Sequence, residues 1–112
     1  MAHHLVVFVT PSSKTEVTKV VRCLLAERLI LCAKIIGPVS FIFWWKDKIE
    51  KVAEFLVLMK SNSELFDKLT KRVKAIHGYE VPEIFALPIH MSSPSYLNWL
   101  EDNLRLGSKN GG

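Results

Sequence analysis

The chain has 112 residues, 49% of them hydrophobic, and 15 Lys and Arg against 11 Asp and Glu give it a net charge of +4. That length suits one domain able to bury a core without disulfide or metal staples. No apolar run approaches the ~18 uninterrupted residues of a membrane-spanning helix, so no membrane insertion is expected, and the small positive charge biases the chain only slightly toward acidic partners.

The opening M-A-H-H-L-V-V-F-V-T has no basic region and no small-residue cleavage site, so no signal peptide is expected, and His3 and His4 are given no role. Leu5 to Thr10 is a short Val- and Phe-rich run, the pattern of a buried strand. Ser13 with Glu16 reads as a capping box. Behind it Val17, Val20, Val21, Leu24 and Leu25 form one helical stripe ending near Arg28. From Ile30 to Trp45 the period becomes strand-like, with a bend or bulge expected at Gly37-Pro38. Lys46-Asp47-Lys48 makes a tight hairpin, and Ile49 to Lys60 returns as a second long strand. Ser61 with Glu64 is read as the cap of another helix, its buried stripe Leu65, Leu69, Val73 and Ile76. Glu83 to His90 is a further strand. Ser93-Pro94 then caps a third helix carrying Leu97, Leu100 and Leu104. The order is βαββαβ with a C-terminal helix, an α+β, ferredoxin-like two-layer sandwich. One domain is expected over 1–106, with a flexible tail over 107–112.

Two helices cover only one face of such a sheet, and the other face of an antiparallel sheet ordinarily alternates toward polar. Here Leu5-Val-Val-Phe-Val9, Leu56-Val-Leu-Met59 and Ile84-Phe-Ala-Leu87 are apolar on both faces. Four strands of five residues present roughly 300 Å² of sheet. At ~25 cal/mol per Å² its exposure forgoes several kcal/mol, so the sequence predicts that the terminal helix and a symmetric oligomer cover it.

The stretch K-A-I-H-G-Y-E-V-P-E-I-F-A-L-P, Lys74 to Pro88, holds the densest chemistry. His77, Tyr79, Glu80 and Glu83 fall on one connector between a helix and a strand, and Pro82 stiffens it. A helix C-cap at His77-Gly78 followed by a plain surface loop is the simpler account of the same residues. Imidazole plus carboxylates suits borderline divalent ions, with His77, Glu80 and Glu83 as the candidate metal ligands. Glu54 is a carboxylate among apolar strand neighbours and needs a cation or donors, Lys34 being one candidate. Trp44 and Trp45 point to opposite faces, so one is expected to pack inward and the other to meet a partner subunit. Cys23 and Cys32 match no zinc spacing, and reduced thiols in a cytoplasmic protein are the expectation. The loop after the first strand has neither Cys-x-x-Cys nor a phosphate-holding arginine. The strand Lys51 to Lys60 has one aromatic and no glycine, unlike an RNA-recognition strand, so no nucleic-acid partner is expected. The basic run Lys68, Lys71, Arg72 and Lys74 reads as a solvated helix face, and nothing in the residues requires an enzyme.

Several segments taken in order resemble the CutA family of divalent-cation tolerance proteins. Arg28-Leu-Ile-Leu-Cys-Ala33 is similar to that family's R/K-L-A-A-C-V, and Trp45, Lys48-Ile-Glu50 and Glu54 to its W-x-G-K-I-E hairpin and following Glu. Lys60-Ser61 stands for its Lys-Thr, and His77-x-Tyr-Glu-Val-Pro-Glu83 resembles H-P-Y-E-x-P-E. Tyr96-Leu-Asn-Trp99 is similar to its terminal Y-L-x-W. The resemblance spans Leu5 to about Leu104. It implies a ferredoxin-like homotrimer that binds rather than catalyses, linked to copper and other divalent metals, with a pocket between subunits. In that reading His77, Glu80 and Glu83 take the metal, while Tyr79, Lys60, Glu54 and Trp45 line the pocket and Lys60 contacts a small anionic ligand. The alternatives are an assembly module and a PII-like small-ligand signalling trimer that has lost the metal. The chain departs from the family at Val9, where the copper proposals use a thiol, and at Ile76, where they pair a second histidine with His77. It departs further at Lys34, Phe41, Phe43, Asp47 and Gly78.

Overall fold

Val7 and Val9 on one strand and Val57 and Met59 on its neighbour are fully buried, and two helices lie over them. The computed structural model describes residues 3–76 and 83–104. Its elements are β1 (His4–Val9), α1 (Lys14–Ala26), β2 (Ala33–Trp45), β3 (Lys48–Asn62), α2 (Phe66–Ile76), β4 (Ile84–Pro88) and α3 (Pro94–Asn103). The sheet runs β2-β3-β1-β4 with every neighbouring pair antiparallel. This is the ferredoxin-like α+β sandwich that the sequence predicts. The tail over 107–112 and the expected domain limit at 106 lie outside the described residues.

Local chemistry explains most of the helix ends. Ser13 Oγ accepts from the Glu16 amide at 3.2 Å, while the Glu16 carboxylate reaches back to the amide and hydroxyl of Ser12, one residue before the cap. At the other end of α1, Arg28 adopts a left-handed φ of 57°, its amide bonding Leu25 O and that of Leu29 bonding Leu24 O. The pair of bonds is a Schellman closure, and it drives Leu29 into the core. α3 starts as predicted, with the Ser93 side chain accepting from the Tyr96 amide ahead of Pro94.

The cap of α2 is a correction. Ser61 sits within β3, is fully buried, and donates to the Leu29 carbonyl at 2.7 Å. Asn62 does the capping instead, accepting from the Leu65 amide at 3.0 Å. Register decides this, because Ser61 stands opposite Leu5 on the helix-covered face, where a hydroxyl must find an internal acceptor. β2 also begins later than the periodicity suggests, at Ala33.

Gly37-Pro38 makes the predicted bulge, with Ile36 paired to Leu56 and Val39 to Glu54. β2 thus carries one extra residue, so even-numbered residues before the bulge and odd-numbered ones after it share a face. The hairpin closes on Lys46 and Asp47 alone, both left-handed at φ 50° and 64°, the geometry of a two-residue primed turn. β2 and β3 run well past the helical layer and stretch the molecule to 48 × 28 × 22 Å. Both tryptophans ride on that projection, Trp44 at 72% and Trp45 at 49% exposure. Neither is the expected inward tryptophan, because among the described residues no helix underlies the tip of the hairpin.

Gly37 has φ 149°, and a Cβ there would lie 2.9 Å from Phe55 Cδ2 and 3.1 Å from the Glu54 carbonyl. Gly37→Ala should cost about 1–3 kcal/mol and lower the thermal midpoint by more than about 4 °C. An unchanged midpoint in calorimetry would contradict the bulge geometry.

Candidate functional site

Opposite the helices, the sheet presents Val6 and Phe8 from β1, Leu56 and Leu58 from β3, Phe85 and Leu87 from β4, and Lys34 and Ile36 from β2, a set fixed by the pairing register. Phe8 and Phe85 stack at 4.8 Å between centroids and 8° between planes. Ile36, Phe85 and Leu87 are nonetheless exposed. α3 buries Leu100 and meets this face beside Lys60 and His4. Its Tyr96 ring meets Lys60 Nζ at 5.8 Å, and its Glu101 lies 3.8 Å from His4.

At the far end of the face the apolar surface gives way to Thr10, Glu54 and Glu83. Val9 pairs with both Val57 and Ile84, so the next residue, Thr10, comes beside Glu83 on one side and diagonal to Glu54 on the other. Thr10 Oγ1 donates to Glu83 Oε1 at 3.4 Å. Glu54 is 2% exposed and Thr10 8%, whereas Glu83 is open to solvent. Two carboxylates and a hydroxyl thus occupy adjacent register positions at this end of the face, with Thr10 and Glu83 in contact. Oxygen donors of this kind suit a hard or borderline divalent cation.

The other predicted residues divide into three cases. His77, Tyr79 and Glu80 lie outside the described residues. Lys34 stands opposite Leu58 and is exposed, four residues along β3 from Glu54, so the register does not make it the partner of that carboxylate. Trp45 and Lys60 share the face of Glu54 but not its neighbourhood. Trp45 pairs with Lys48 at the hairpin tip, where Lys46 Nζ lies 5.7 Å from its ring, and Lys60 pairs with Val6 at the base. Each is about six residues, or ~20 Å, from Glu54 along β3. Among the described residues no three His, Cys, Asp or Glu side chains gather closely enough to hold a metal by themselves. Thr10 is the participant that residue-by-residue reasoning passed over. Its only sequence signal is a hydroxyl ending an apolar strand, and its pairing with Glu83 spans 73 residues.

Residues 5–103 match the CutA1 divalent ion tolerance protein family. The chain belongs to that family. It is 39% identical to the divalent-cation tolerance protein CutA of Thermus thermophilus, with 88% of this chain and 95% of that protein aligned. It is 37% identical to the chloroplastic protein CutA 1 of Oryza sativa, where it spans 57% of the relative's length and 90% of its own. The fold agrees closely with the Thermus thermophilus divalent cation tolerance protein, at a TM-score of 0.88, 37% identity and coverage of 91% of this chain and 99% of that one. The structure of CutA1 from Oryza sativa gives a TM-score of 0.88 at 36% identity, covering 92% and 94%.

Within this CutA1 chain the departures fall at identifiable places. Val9 is buried against the helices, on the face opposite Thr10, and Ile76 packs against the core at the end of α2. Phe41 and Phe43 stack on each other at 4.3 Å on the face that Trp45 shares, so that stretch of β2 offers aromatic surface in place of hydroxyls. Thr10→Val removes the bond from Thr10 to Glu83 and should cost about 1 kcal/mol in denaturant unfolding. Unchanged stability would show that the bond contributes nothing.

Proposed function

We propose that the chain is a homotrimeric, non-enzymatic CutA protein that binds a divalent cation, copper(II) in the first instance, in a pocket between subunits in the cytoplasm. The observation that carries this reading is the spacing on β3. Trp45, Glu54 and Lys60 face the same way yet are set ~20 Å apart, so a pocket that uses all three must draw them from different copies. The apolar face between them, with Ile36, Phe85 and Leu87 exposed, is what such copies would bury. Three is the number that the family resemblance implies. Glu83 and Glu80 would supply charge-compensating carboxylates and His77 the softer imidazole, with Tyr79 and Lys60 facing an anionic co-ligand. Two unbridged cysteines suit a reducing compartment.

A pure assembly role is the second reading, and a specific observation favours it: the chain keeps segments that resemble the family's scaffold, such as Arg28 to Ala33 and Lys48-Ile-Glu50, but has Val9 and Ile76 in place of two ligands of the copper proposals. Calorimetric titration with copper(II) separates the two readings. The binding reading expects saturable uptake that weakens at least about tenfold in His77→Ala and in Glu83→Gln. Uptake that is absent, or indifferent to both substitutions, overturns it in favour of assembly.

A further inference from the structure

On the side of the molecule away from the open sheet face, α1 and α2 bring together three side chains that the cation reading does not use. Arg72 Nη2 from α2 lies 2.7 Å from the sulfur of Cys23 on α1. The thiol in turn donates toward Glu27 Oε2 at 3.4 Å, and the same oxygen holds Arg72 Nη2 at 2.9 Å. The triangle is closed across two helices. Cys23 and Glu27 are one α-helical turn apart, and Arg72 comes from 49 residues away. The site is half-buried and reachable, with the Arg72 and Glu27 side chains 40% and 33% exposed. The two contacts of Arg72 Nη2 hold the guanidinium against sulfur and carboxylate, and Arg72 Nε is buried with no partner of its own. Lys19, one turn before Cys23, and Lys68, one turn before Arg72, are exposed and add positive charge on the same helical layer. The bond to Cys23, and after it the charge of Glu27, also raise the Arg72 pKa above its ordinary value, so the group stays cationic.

A half-exposed thiol with a fixed cation on its sulfur and a carboxylate accepting its proton has the surroundings of a reactive cysteine, not of one that only fills space. We propose that Cys23 is a hydroperoxide-reactive thiol, a modification site separate from the sheet-face pocket, with Glu27 and Arg72 as its positioning residues. The reaction balances with the hydroperoxide as sole oxidant. The thiol proton passes to Glu27, and a sulfur electron pair attacks the terminal peroxide oxygen. The S–O bond forms as the O–O bond breaks, and the departing oxygen takes up the proton to leave as an alcohol or water. Sulfur is oxidised to sulfenic acid and the peroxide is reduced. Arg72 stabilises the anionic sulfur during attack. Among the described residues Cys32, just before β2, makes no side-chain bond to a cation and is the internal reference.

The test treats the full-length protein with hydrogen peroxide, traps sulfenic acid with dimedone, and follows Cys23 and Cys32 by mass spectrometry of peptides. Cys23 should be labelled at least about tenfold faster than Cys32, and Arg72→Gln and Glu27→Gln should each slow it by about tenfold. Circular dichroism checks that the variants fold; if Arg72→Gln does not, Glu27→Gln and the cation-keeping Arg72→Lys replace it, the latter retaining most of the rate. Equal labelling of the two cysteines, or a Cys23 rate indifferent to the folded variants, overturns the proposal.

Discussion

The two-sided apolar sheet is the constraint on which the rest of the structure depends. A strand has two faces, and two helices over a four-stranded sheet can cover only one of them. Val7, Val9, Val57 and Met59 are satisfied by α1 and α2. Phe8 and Leu58, between them in sequence, and Phe85 and Leu87 on β4 cannot be satisfied by the same helices because they point the other way. α3 is short and buries Leu100, with Tyr96 and Glu101 reaching Lys60 and His4, yet Ile36, Phe85 and Leu87 stay exposed. Among the described residues no second helical layer lies over Ile36, Phe85 and Leu87, and this is the surface that the trimer proposal assigns to neighbouring copies.

The position of the candidate site follows from that geometry. Thr10, Glu54 and Glu83 are the polar edge of the uncovered face, held in register by β1, which pairs with both neighbours. The near-complete burial of Glu54 beside exposed apolar residues makes it the costliest group on this face to leave unsatisfied. The Gly37-Pro38 bulge then sets which side chains of the projecting hairpin continue the face, and it selects Phe41, Phe43 and Trp45. Because the helices occupy the opposite layer, the Cys23–Arg72 contact between them is free to serve a different chemistry.

The sequence made local features legible and long-range ones largely illegible. Ser13 and Ser93 could be read as caps because a cap is decided within three residues, and the buried stripe of α2 because a helix face repeats on its own. Ser61 shows where that reasoning fails. Its spacing to Glu64 satisfies the cap pattern, but its place opposite Leu5 in the sheet outweighs the pattern and hands the cap to Asn62. The outward position of Trp44 depends on how far the hairpin overshoots the helices, a length that periodicity does not encode. For the site, the presence of Glu54 and Glu83 was legible, and their approach through Thr10 was not, since it rests on pairing across three strands. The separation of Trp45 and Lys60 from Glu54 could have been counted along β3, and the placing of Arg72 on Cys23 could not, because it depends on how two helices pack.

The most direct test of the covered-face account is the solution mass. Sedimentation equilibrium at micromolar concentration should give close to three times the 12.8 kDa chain, and Leu87→Glu, which puts a charge on the open face without touching the helical core, should shift the mass toward a single chain. A wild-type protein sedimenting as a stable monomer would contradict the account, because the apolar face would then stand in water uncovered.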